Sequence, residues 1–164
     1  MEVIIREIEA ALDAGFYYLA IAITLTLPDI CAALESPQGR TSGALYRDWY
    51  NAWLAPSYPA VTADDMYSLR CGLIHQGRFG QGNMQFGRIL FTLPTPQRNV
   101  FHHIIMDDAL NLDANRFCRD VLQAVRRWYA ANQGNPVVQG NLPRLLQFYP
   151  HGLAPYIIGT PLIA

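Results

Sequence analysis

The sequence predicts a mainly α-helical single domain, a helical bundle carrying a small β-hairpin insertion. Apolar residues recur at helical spacing along most of the chain, and the period turns strand-like only between residues 88 and 106. A length of 164 residues suits one domain, and it can bury a sizeable core without metals or disulfides.

Residues 2–13 place Val3, Ile4, Ile8, Ala11 and Leu12 near one helical face, and Gly15 closes that helix. Residues 16–27 are apolar all round, as a central helix is; Pro28 is expected to kink or break it, with another turn or two over 29–35. Ser36-Pro37-Gln38-Gly39 reads as a turn. Leu45, Trp49, Ala52 and Trp53 give a helix over 43–54 that Pro56 and Pro59 end. Thr62-Ala63-Asp64-Asp65 resembles a capping box, opening a helix that carries Met66, Leu69, Leu73 and Ile74 and stops at Gly77.

A loop rich in Gly, Gln and Asn follows to Gly87. Segments 88–93 and 100–106 then read as two strands joined by 94–99, the expected hairpin. Residues 113–131 form the clearest helix, with Phe117, Val121, Ala124, Val125 and Trp128 inward and Arg119, Asp120, Arg126 and Arg127 outward. Five prolines after Gly134 predict a largely irregular tail, with a short helix at 143–148.

The composition is 51% hydrophobic and 15% charged, which excludes disorder and suggests that extra surface is buried, as in a subunit contact. A net charge of −1 and a pI near 6.4 exclude a generally basic nucleic-acid coat but not a local patch. All twelve cationic residues are Arg. Without Lys there is no P-loop and no Schiff-base chemistry, and no cofactor is expected. Cys31, Cys71 and Cys118 are widely spaced and form no CxxC pair, so reduced thiols and a cytoplasmic setting are expected rather than zinc or disulfides. The acidic start of the chain is unlike a signal peptide, and the uncharged run from Phe16 to Pro28 is too short to span a bilayer. No membrane association is expected.

The sharpest candidate chemistry is Arg70 and His75, five residues apart on one predicted helix. Arg98–His103 and Arg144–His151 have similar spacings, but the first straddles a turn and a strand and the second encloses Pro150. Five helical residues turn about 500°, so the two side chains start on different faces; a long Arg beside Gly72 can still curl round. A histidine serves as a general acid or base, and a guanidinium can clamp a phosphate. RNA supplies its own nucleophile, the 2′-hydroxyl, so these two groups suffice for metal-free cleavage. In the competing arrangement His75 caps the helix and Arg70 pairs with an acid such as Asp107 or Asp108.

Around the glycine loop Arg78, Phe79, Phe86 and Arg88 interleave cations and aromatics, as single-strand binders do, making Arg78 and Arg88 candidate nucleic-acid contacts. His102-His103 with Asp107-Asp108 is a weaker metal candidate, because adjacent strand residues point to opposite faces; no metal site is expected.

The run Tyr67-Ser68-Leu69-Arg70-Cys71-Gly72-Leu73-Ile74-His75-Gln76-Gly77 resembles the signature helix of the HEPN superfamily. These are small all-helical proteins, many of them metal-independent ribonucleases in toxin–antitoxin and phage-defence systems. The resemblance extends over about residues 1–131. It implies an RNA-binding domain, endoribonuclease activity at Arg70 and His75, a homodimer whose cleft combines both copies, and an antitoxin or nucleotidyltransferase-like protein partner. Cys71 stands where active members often carry Asn, Asp or His, and the hairpin is an addition to the plain bundle. The alternative function is a non-catalytic helical dimer that binds RNA, a nucleotide or a protein partner.

Overall fold

A computed structural model describes residues 1–79, 84–97 and 99–164. Helices α1 (Glu2–Asp13), α2 (Tyr17–Glu35), α3 (Gly43–Trp53) and α4 (Ala63–Gln76) come first; a small sheet and helices α5 (Ala114–Asn132) and α6 (Pro136–Asn141) follow. The fold is mainly helical, as its apolar periodicity predicts.

The core is organised by α2, which packs against α1, α3, α4, α5 and α6. Leu25, Leu27 and Cys31 are completely enclosed along it. It is long and apolar enough to cross a membrane by length and composition, yet more than half of that stretch is buried inside the fold. Pro28 does not break it: one continuous helix runs from Tyr17 to Glu35. Proline removes a single backbone hydrogen bond, a penalty of about 3 kcal/mol. Burying each large apolar side chain contributes about 1.5–3 kcal/mol, so contacts on both sides of Pro28 override the break.

The boundaries of α4 are set by local chemistry. Thr62 Oγ1 accepts the Asp65 N–H (3.0 Å), and Asp65 Oδ2 accepts the Thr62 N–H (3.0 Å), a complete capping box. The other Asp65 oxygen accepts the Gln85 N–H at 2.7 Å, tying the following loop to the start of the same helix. At the far end Gly77 takes the left-handed conformation (φ 65°) that terminates a helix cheaply only with glycine. Thr62→Ala should lower stability by about 1 kcal/mol, read as a reduced denaturation midpoint with an unchanged slope.

Strands β1 (Arg88–Thr92), β2 (Ile104–Met106) and β3 (Ala109–Asp113) form a sheet of order β1-β3-β2. The expected hairpin of 88–93 with 100–106 is therefore not formed. Both segments pair with β3 instead, β1 parallel in the register Arg88↔Ala109 and β2 antiparallel in the register Ile105↔Leu110. The real hairpin is β2–β3, closed through Asp107, an aspartate at φ 52°. Asn111 hides β3 from a hydropathy reading. Its side-chain amide donates to the carbonyls of Ile104 and Ala109, which satisfies a polar group on a buried strand.

Asp113 ends β3 and caps α5, its Oδ1 accepting the Arg116 N–H at 2.8 Å. The predicted inward face of α5 is fully buried, and Arg119 and Arg126 reach Asp13 and Glu9 on α1. The tail is more ordered than its prolines suggest. Asn135 caps α6, whose first residue is Pro136, and a 3-10 turn follows over Leu142–Arg144. Beyond it β4 (Phe148–Tyr149) pairs with β7 (Leu162–Ile163), and β5 (Gly152–Leu153) pairs with β6 (Ile157–Ile158). The expected helix at 143–148 is absent; Pro136 in the first turn was the usable signal, one segment earlier.

Candidate functional site

Arg70 lies on α4 facing α2, and His75 is exposed in the last turn of the same helix. The Arg70 Nε donates to Asp29 Oδ2 at 2.7 Å, and Arg70 Nη1 lies 3.3 Å from His75 Nε2. The two side chains that start on different faces thus meet, within one chain. Arginine has no acceptor, so this contact places the lone pair on His75 Nε2 and the ring proton on Nδ1. Arg70 Nη1 also approaches the Cys71 sulfur at 3.8 Å.

The ion pair with Asp29 is shielded, with side-chain exposures of 19% for Arg70 and 10% for Asp29. Burial alone would lower the Arg70 pKa; the Asp29 carboxylate and the Cys71 contact outweigh it, and the net shift is upward. The guanidinium is therefore permanently charged and fixed in orientation. Thr41 completes the anchor by donating to the other Asp29 oxygen at 3.3 Å. A second, more exposed pair borders the site: Arg47 donates to Asp64 at 2.6 Å and lies 4.4 Å above the Tyr67 ring.

Asp29 was missed because Pro28-Asp29 reads as a helix terminator. The usable signal was an acid in the middle of a largely apolar helix, since a buried carboxylate requires a partner. Neither Asp107 nor Asp108 takes that role; Arg70 selects Asp29.

The other two candidates lie on the segments that follow α4. Arg78 is exposed just beyond α4 and donates from Nε to Gln76 Oε1 at 3.0 Å. Arg88 opens β1 opposite Ala109, with its side chain exposed. No hydrogen bond or ion pair among the described residues joins either to Arg70 or His75. Of the interleaved aromatics, Phe86 belongs to the core, and Phe79 stays exposed while packing on Phe91 with ring centroids 5.1 Å apart. Positions 80–83 of that loop, and Arg98, lie outside the described residues.

His102 and His103 also depart from expectation. They precede β2 rather than lying within it, and His103 has φ 60°; the two rings lie side by side, centroids 4.2 Å apart and planes tilted by 39°, instead of pointing apart. No group of three or more metal-ligating side chains exists among the described residues. His102 Nδ1 accepts the Asp113 N–H at 3.2 Å, leaving its proton on Nε2, 3.7 Å from Asp120 Oδ2. Tyr58 donates to that same carboxylate at 2.9 Å.

Burial, then the neighbouring His103, lowers the His102 pKa against the opposing pull of Asp120 and Asp113. Below the ordinary histidine value of ~6.5 the unfolded chain therefore binds the proton first. This contribution to stability is complete above that pH and is lost as pH falls through it toward the lowered folded value. Melting at about pH 7.5 and about pH 5.5, either side of the ordinary value, should show a larger drop for the wild type than for His102→Gln.

No protein-family profile, curated protein or solved structure matches this chain.

Proposed function

We propose that the chain is a HEPN-like RNA-binding domain that cleaves RNA without a metal, using Arg70 and His75. The observation that supports this reading is the 3.3 Å contact between Arg70 Nη1 and an exposed His75 Nε2, built on an anchored guanidinium. A phosphate entering the site competes for the Arg70 N–H groups and releases His75 Nε2. That nitrogen then takes the proton of the ribose 2′-hydroxyl. The 2′-oxygen attacks phosphorus, the P–O5′ bond breaks, and the 5′-oxygen leaves with a proton from an acid or from water. Arg70 stabilises the charge that builds on the non-bridging oxygens. A 2′,3′-cyclic phosphate and a 5′-hydroxyl result.

The Asp29–Arg70 pair favours a second reading as well. A guanidinium already neutralised by a carboxylate can simply lock α4 to α2 in a non-catalytic binding module. Incubating the purified protein with structured RNA in excess chelator separates the two. The catalytic reading expects strand scission. The binding reading expects retarded RNA of unchanged length, and that result would overturn catalysis.

A further inference from the structure

We propose that a cleft beside Asp29 receives a nucleobase of the RNA strand, next to the phosphate held at Arg70 and His75; this rests on the ribonuclease reading and extends it. The cleft has a volume of about 250 Å³ and lies between α2, the turn after it and the 3-10 turn of the tail. Asp29, the residue that holds Arg70, forms part of its wall, and Thr41, which donates to Asp29, lines it as well. A ligand seated here meets the carboxylate that holds Arg70.

The lining selects the ligand class. Ile30, Ala33, Leu34 and Leu145 supply an apolar floor, and Arg144 stands at the rim. A phosphate has no reason to settle against a carboxylate and an apolar floor. A flat, uncharged heterocycle with N–H edges fits: the floor takes its face, the Asp29 oxygens accept from its edge, and a guanidinium stacks on it.

The cation is held ready. Asn141 Nδ2 donates to the carbonyls of Leu34 (3.0 Å) and Ser36 (2.9 Å), which turns Asn141 Oδ1 toward Arg144 Nη1 at 3.1 Å. Gly39 makes the space. It sits at φ +65°, and a Cβ there would lie 2.7 Å from Arg144 Nη1. Arg144 forms no ion pair among the described residues, so its charge is not already neutralised.

Two substitutions probe the cleft from different sides: Ala33→Phe fills the floor, and Arg144→Gln removes the rim cation. The probe is a short, fluorescein-labelled mixed-sequence oligoribonucleotide, 2′-O-methylated so that it cannot be cleaved, beside an abasic strand of equal length. Fluorescence anisotropy should show each variant binding the base-bearing strand about tenfold more weakly than wild type, as expected for one lost stacked base. Their affinity for the abasic strand should be unchanged. Wild-type affinity in both variants, with RNA still cut by the wild type, overturns the base site and leaves the cleavage reading intact. Equal weakening on the abasic strand assigns the effect to the backbone and also overturns it. A wild type that neither binds nor cuts RNA overturns both.

Discussion

His75→Ala should slow metal-free RNA cleavage by about 10²–10⁴-fold, the share one general acid–base group supplies. Its melting temperature should hardly move. His75 is exposed, and surface substitutions of this kind usually change stability by less than about 0.5 kcal/mol. That combination separates a chemical role from a structural one. Arg70→Lys is the companion variant: lysine keeps the charge but cannot hold Asp29 through one nitrogen and face His75 with another. Initial cleavage rates in chelator, with melting curves on the same samples, check both. An unaltered rate in either variant removes the pair from the reaction.

Asp29→Asn should be damaging in two ways at once. Asp29 is the counter-ion of a guanidinium whose side chain is only 19% exposed, and it fixes where that group points. Removing one partner of a buried pair is worth about 3–5 kcal/mol, while exposed pairs are worth about 0–1. Arg70 keeps some access to water, so a loss of about 2–3 kcal/mol is expected between those limits. Cleavage should fall together with stability, because the released guanidinium no longer faces His75. A double-mutant cycle with Arg70→Gln should return a coupling of at least ~1 kcal/mol, as residues in one network do. Additive effects of the two substitutions would contradict the anchor.

Much of the helical architecture was legible because local signals agreed with the tertiary demand. The capping box at Thr62–Asp65 and the glycine at 77 place both ends of α4, and the apolar stripe of α5 is the face that is buried. The pair Arg70–His75 was legible as a spacing, but its anchor was not. Pro28 reads as a break by local propensity, and only contacts from five other helices carry α2 through it and bring Asp29 to face α4. The sheet failed for a related reason. A parallel pairing such as β1 with β3 leaves no turn signature, and the strand at the centre of the sheet carries Asn111 and follows two aspartates. Arg144, Asn141 and Gly39 meet across more than a hundred residues of sequence, so no spacing rule reaches them.

The most direct measurement is the chemistry of the ends left on RNA after digestion in excess chelator. Attack by the adjacent 2′-hydroxyl predicts upstream fragments ending in a 2′,3′-cyclic phosphate and downstream fragments starting with a 5′-hydroxyl, both depleted in His75→Ala. RNA that stays intact, or is cut to leave 5′-phosphate and 3′-hydroxyl ends, would contradict the assignment of Arg70 and His75.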